Sequence, residues 1–270
     1  MEGLGTRTDE ARFVHGRESV AQQVSLSNVE APQSDKLSVL DFLMSRPLSE
    51  RPSLGPDTAL LSGPHRCGKT SLLLQLAYNI AAQGSNFVVF ICKPRNFDSD
   101  IYLTQDVDSS SEILDRIQIK YVHDDEELRK FFAAFHMHIT LPTTLIVDDF
   151  LDFFQGCDTI QQTSRGLVIA KTLCLAHSAI SYASEQYKTT ASCRLILSDS
   201  HSGDGPRLSY IMKRWINQTF VIKAVHDTST FTLELQSSPM GPQKENVVAK
   251  YVLSQNHLRF DGWDVLHRNH

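Results

Sequence analysis

The run Gly63-Pro64-His65-Arg66-Cys67-Gly68-Lys69-Thr70 constrains this chain more than any other stretch. It fits the pattern G-x-x-x-x-G-K-[ST], and its surroundings suit that pattern. Thr58-Ala59-Leu60-Leu61-Ser62 before it is short, apolar and strand-like. Residues 71 to 84 after it form a strong helix former closed by Gly84. A strand that enters a helix through such a turn aims successive backbone N–H groups at one point, at the positive end of the helix dipole. Gly63 and Gly68 are the positions expected to make the tight turn. The spacing specifies a phosphate cradle. Gly63, Pro64, His65, Arg66, Cys67, Gly68 and Ser71 surround the phosphate, Lys69 reaches its outer oxygens, and Thr70 offers a hydroxyl to Mg2+.

Composition narrows the rest. The 270 residues carry a formal net charge of −5, so no global field draws the chain to nucleic acid or membrane. Any DNA contact needs a local basic surface. The five cysteines are scattered, odd in number and form no C-x-x-C, which argues against a disulfide framework or zinc site and for a reducing intracellular compartment. No signal peptide opens the sequence, and no apolar run reads as long enough to span a bilayer. The eleven histidines show no ligand spacing, so Mg2+ is the one metal expected.

In chain order, residues 1–34 read as a disordered polar arm. Residues 35–57 read as a helix, capped by Ser34-Asp35 and striped by Leu37, Leu40 and Leu43, then a linker broken by Pro47, Pro52 and Pro56. Residues 58–265 read as one α/β domain. Asn86 to Cys92 is an apolar, β-branched strand that ends in Lys93-Pro94-Arg95. Ile117 to Val122 alternates like a strand, and Asp124 to Glu127 opens a helix with Leu128, Phe131, Phe132 and Phe135 on its core stripe. Thr143 to Asp149 is an apolar strand ending in two carboxylates, with Asp148 expected beside Thr70 on the metal side. A long helix is expected from about Thr159 to Tyr187, then a buried strand from Cys193 to Ser198. A helix over 207–215 should carry Arg207, Lys213 and Arg214 with Tyr210 and Trp215. Strands at 218–225, 230–236 and 247–254 follow, and Leu258 to Trp263 closes the chain. βα units followed by a run of strands predict a mostly parallel sheet with a C-terminal antiparallel extension.

The order of these pieces resembles the RecA-type recombinase core. The closing Arg259-Phe260-Asp261-Gly262 and the Lys93-Pro94-Arg95 segment are similar to eukaryotic recombinase paralogues, and within them to the small ATPases that partner a SWIM-type zinc-finger protein. The resemblance covers about residues 36–265. It implies a RecA-like P-loop core, ATP and Mg2+ as cofactors, single-stranded DNA, recombinase paralogues and a SWIM-type partner, and work in homologous recombination repair in the nucleus. It also implies a γ-phosphate sensor at the end of the fifth strand, where Ser200 suits better than Asp199.

One departure bears on chemistry. Family recombinases end the second strand with a glutamate that polarises the attacking water, and Lys93-Pro94-Arg95 offers no carboxylate. Asp149 is the substitute, with a capping or Mg2+-shell role as its other reading. Arg207, Lys213 and Arg214 with Tyr210 and Trp215 could hold single-stranded DNA by charge and stacking. The same pattern also suits an amphipathic helix with its aromatics in the core. Lys93 and Arg95 form a second basic candidate. Two functions stay open: a weak DNA-stimulated ATPase, and a nucleotide-stabilised adaptor without turnover.

Overall fold

A computed structural model describes residues 37–44, 57–84, 86–94, 102, 104, 107, 111–157, 162–187, 192–201, 208–225, 229–236, 247–254 and 257–265. The chain divides between Ser34 and Asp35. The expected arm, the Ser34-Asp35 cap, the three linker prolines, Arg95 and Arg207 lie outside the described residues.

Among the described residues nine strands form one sheet in the order β3-β2-β4-β5-β1-β6-β7-β8-β9. They are β1 (Asp57–Gly63), β2 (Val88–Cys92), β3 (Ile117–Tyr121), β4 (Thr144–Val147), β5 (Arg194–Ser200), β6 (Gln218–Ala224), β7 (Thr230–Gln236), β8 (Val247–Ser254) and β9 (His257–Val265). The first six pair in parallel, and β6 to β9 pair antiparallel. The mostly parallel sheet with an antiparallel extension is therefore present. β9 was not anticipated as a strand.

Among the described residues α1 (Leu40–Leu43) precedes the first strand, and α2 (Lys69–Ala81), α3 (Asp125–Ala133), α4 (Gln162–Gln186) and α5 (Ser209–Met212) lie between strands. The parallel strands explain their own burial. β1, β2 and β4 are buried at every position, because helices clad both faces. On one face Leu72, Leu73, Leu76 and Ile80 of α2 share a core with Leu61, Phe90, Ile146 and Ile196. On the other, Leu128 and Phe132 of α3 and Ile169, Leu173, Ala176 and Ile180 of α4 meet Leu60, Ile91, Val147 and Leu197. The α3 stripe is core, as its spacing predicts, and Asp124 caps that helix by accepting from Glu127 N.

Two expectations are corrected. The first helix is a single turn, and the buried apolar residues around it are Leu37, Val39, Phe42 and Leu43, with Leu40 half-exposed. Its anchor is distant in sequence: Asn79 Nδ2 of α2 donates to the Asp41 and Met44 carbonyls at 2.8 and 2.7 Å. In α4, Arg165–Gln186 is long and apolar enough to cross a membrane by length and composition, at mean hydropathy 1.3. It instead lays one face on the sheet, while Leu167, Lys171 and Glu185 are exposed.

Candidate phosphate-binding site

β1 ends at Gly63 and α2 begins at Lys69, so the motif occupies the turn between them at the C-terminal edge of the parallel sheet. The two glycines serve different ends. Gly68 has φ +80°, the left-handed region, and caps α2. The other left-handed residue of the loop is Arg66, at φ +60°, not Gly63. Gly63 is needed for space: a Cβ there would lie 2.7 Å from Cβ of Ile222 in β6. The expected role of Gly63 in the turn is thus corrected to close packing.

Lys69 is 6 % exposed, and its Nζ donates to the Pro64 carbonyl at 2.8 Å, folding the side chain back over the loop. His65 and Arg66 are exposed, and Pro64 is half-buried. Cys67 is buried, its sulfur 3.9 Å from Lys69 Nζ. Burial raises its thiol pKa above the ordinary value, against the opposing pull of Lys69. Ser71 also belongs to the expected cradle, but its hydroxyl oxygen accepts the Tyr102 N–H at 2.8 Å, so that side chain ties down a neighbouring segment.

The two acids after β4 have different surroundings. Asp148 is 1 % exposed and accepts from two hydroxyls, Thr70 Oγ1 at 2.7 Å and Ser198 Oγ at 2.6 Å. Thr70 and Asp148 therefore meet as the spacing predicts. Ser198 also accepts the Asp149 N–H at 2.8 Å. Asp149 sits at φ +49° and accepts from Ser200 Oγ at 3.0 Å. Ser200, expected to face a phosphate, thus has its hydroxyl on Asp149. Asp199 is fully buried on the opposite face of β5, and Ser62 Oγ and His201 Nδ1 lie 2.8 Å apart there.

Sequence reasoning missed Ser198 as a member of this network. It read that residue as strand, and only strand order puts β5 between β1 and β4.

The basic candidates among the described residues have different surroundings. Lys93 Nζ donates to the Asp152 carbonyl at 2.8 Å and stands 5.6 Å from the Phe153 ring, so it braces the 3-10 turn Phe150–Cys157. Lys213 and Arg214 are exposed just after α5. That helix is four residues, shorter than the expected 207–215: Leu208 at φ +50° sets its start, and Lys213 to Trp215 continue as turn. Tyr210 is 73 % exposed, while Trp215 is half-buried with its ring 5.7 Å from that of His177. The two aromatics divide between the readings.

Thr70 and Asp148 are hard oxygen donors converging at a helix N-terminus, a set that fits Mg2+ with few protein ligands. Among the described residues no group of three or more His, Cys, Asp or Glu side chains could hold a metal ion. Compared with protein families and with curated proteins, the chain matches no family model and no curated relative.

Proposed function

We propose that the protein binds ATP with Mg2+ on this loop and is a RecA-like recombinase paralogue acting in homologous recombination repair in the nucleus. The observation that carries the reading is the 2.7 Å bond from Thr70 Oγ1 to buried Asp148, beneath a glycine loop that opens a helix. The loop amides and the start of α2 favour a β-phosphate. Lys69 would exchange the Pro64 carbonyl for phosphate oxygens. Thr70 and Asp148 would hold Mg2+, which would supply charge neutralisation on the phosphates. Asp149 is the carboxylate proposed to orient water for conversion of ATP and water to ADP and phosphate.

The adaptor reading has its own support. β2 ends without a carboxylate, and Lys93 at that place is committed to the Asp152 carbonyl. Hydrolysis should therefore be slow. In this reading the protein uses ATP to hold its fold while joining a SWIM-type zinc-finger partner to recombinase. Lys213, Arg214 and exposed Tyr210 are the proposed contacts to single-stranded DNA.

The test is MgATP binding and turnover on purified protein, with and without single-stranded DNA, against Lys69→Ala. The variant should weaken binding roughly a hundredfold, since it removes a charged contact to phosphate. DNA-stimulated turnover that vanishes in the variant supports the ATPase; tight binding without turnover supports the adaptor; no binding by the wild type rejects both.

A further inference from the structure

We infer that Tyr251 of β8 is a positioning residue for the phosphate loop, acting from the antiparallel extension that carries none of the motif. The inference rests on the nucleotide reading above. Tyr251 is fully buried, and its hydroxyl donates to the Cys67 carbonyl at 2.7 Å. A trans peptide is planar, with C=O and the next N–H on opposite sides. Pinning the Cys67 carbonyl toward β8 therefore turns the Gly68 N–H the other way. The loop binds phosphate through inward N–H groups, so this bond sets the aim of one of them.

The surroundings hold Tyr251 to that task. Its ring stacks on Phe231 of β7, with centroids 5.6 Å apart. Burial pushes its phenol pKa well above the ordinary value, so it remains a donor. The β8–β9 register shifts between Lys250 and Tyr251, with Gly262 at φ +124° opposite Lys250. The extra residue, Asp261, lies in β9, while β8 keeps continuous register with β7 through Tyr251. Two residues on, Leu253 lies against the loop from the same strand: a Cβ on Gly68 would be 2.9 Å from Leu253 Cδ1. One strand thus fixes both a carbonyl and the left-handed residue after it.

The experiment uses full-length protein, Mg2+, a fluorescent ADP and competition by inorganic pyrophosphate. Tyr251→Phe keeps the ring and removes only the hydroxyl. It should weaken both probes about tenfold, because the loop then populates its binding form less often and a buried carbonyl loses its partner. Leu253→Ala should weaken them severalfold by an independent route. Phe132→Leu in α3, which loosens the core on the other face of the sheet, should lower the melting temperature and leave both affinities within about twofold. Wild-type affinity in Tyr251→Phe overturns the inference. So does equal weakening by Phe132→Leu, which would make the effect one of general stability. A wild-type protein that binds neither probe overturns the nucleotide reading itself, a result seen before any variant is made.

Discussion

The two halves of the sheet are built on different terms. Strands β1, β2 and β4 are covered on both faces, and the motif residues lie at their ends, on β5 or in the first turn of α2. Strands β7 to β9 contribute Phe231, Leu233, Ala249, Tyr251 and Leu258 to the α2-side core, while the intervening Thr232, Glu234 and Lys250 are half-exposed. Yet the motif-free half touches the loop between β1 and α2, through Tyr251 and Leu253. A signature in one region can thus depend on a surface supplied by another.

The difference in cladding should give the largest effect. Phe90→Ala and Ile91→Ala, on opposite faces of β2, should each cost about 2–5 kcal/mol in denaturant unfolding. In β7 only one face should behave so. Leu233→Ala should cost a similar amount, and Thr232→Ala should stay within about 0.5 kcal/mol. Equal costs at Leu233 and Thr232 would break the comparison.

The next effect concerns the motif half alone. Asp148→Asn keeps the shape but removes the charge that Thr70 and Ser198 both address. The gain in nucleotide affinity on adding Mg2+ should fall at least about tenfold, or about 1.4 kcal/mol, in titrations with and without the metal. An unchanged gain would remove Asp148 from the metal side.

Gly68 is where the halves meet. Gly68→Ala should cost about 1–3 kcal/mol, because it combines positive φ with a Cβ against Leu253. Gly84→Ala supplies the control, since Gly84 has φ +53° and nothing within 4 Å of its Cβ. Adding Leu253→Ala should recover the steric part at Gly68 and leave the backbone part, and full recovery would show that packing alone matters there.

A further effect is alkaline. Burial pushes the Cys193 thiol, just before β5, up to about 12. The native state then keeps a proton that the unfolded chain releases. Stability from this group is complete below the ordinary thiol value of 9.0 and is lost as pH rises toward about 12. The loss is about 1.4 kcal/mol per pH unit within that window. Denaturant midpoints from pH 8 to 11 should fall less steeply in Cys193→Ala, and identical slopes would refute the assignment.

Much of the parallel half is legible residue by residue. The turn chemistry of 63–70 and the apolar strand runs define β1, β2, β4 and β5 to within a few positions. The amphipathic stripe of α3 declares its buried face for the same local reason. Legibility fails where a neighbour decides. Lys93 has the composition of a phosphate contact, but the Asp152 carbonyl and Phe153 ring claim it. Ser71 sits in the motif, but its hydroxyl serves Tyr102. Tyr210 and Trp215 fit one amphipathic pattern, but α5 is one turn long and only Trp215 is packed.

By itself, then, the sequence determined the elements of the parallel half and the loop that joins β1 to α2. Those properties depend on residues close along the chain: glycine at a left-handed turn, alternating or continuous apolar runs, a helix former after the loop. Tertiary structure alone decided that Ser198 stands between Asp148 and Asp149, and that Tyr251 reaches Cys67 across 184 residues of sequence. Strand order and register set those contacts, and no local pattern encodes which strand lies beside which.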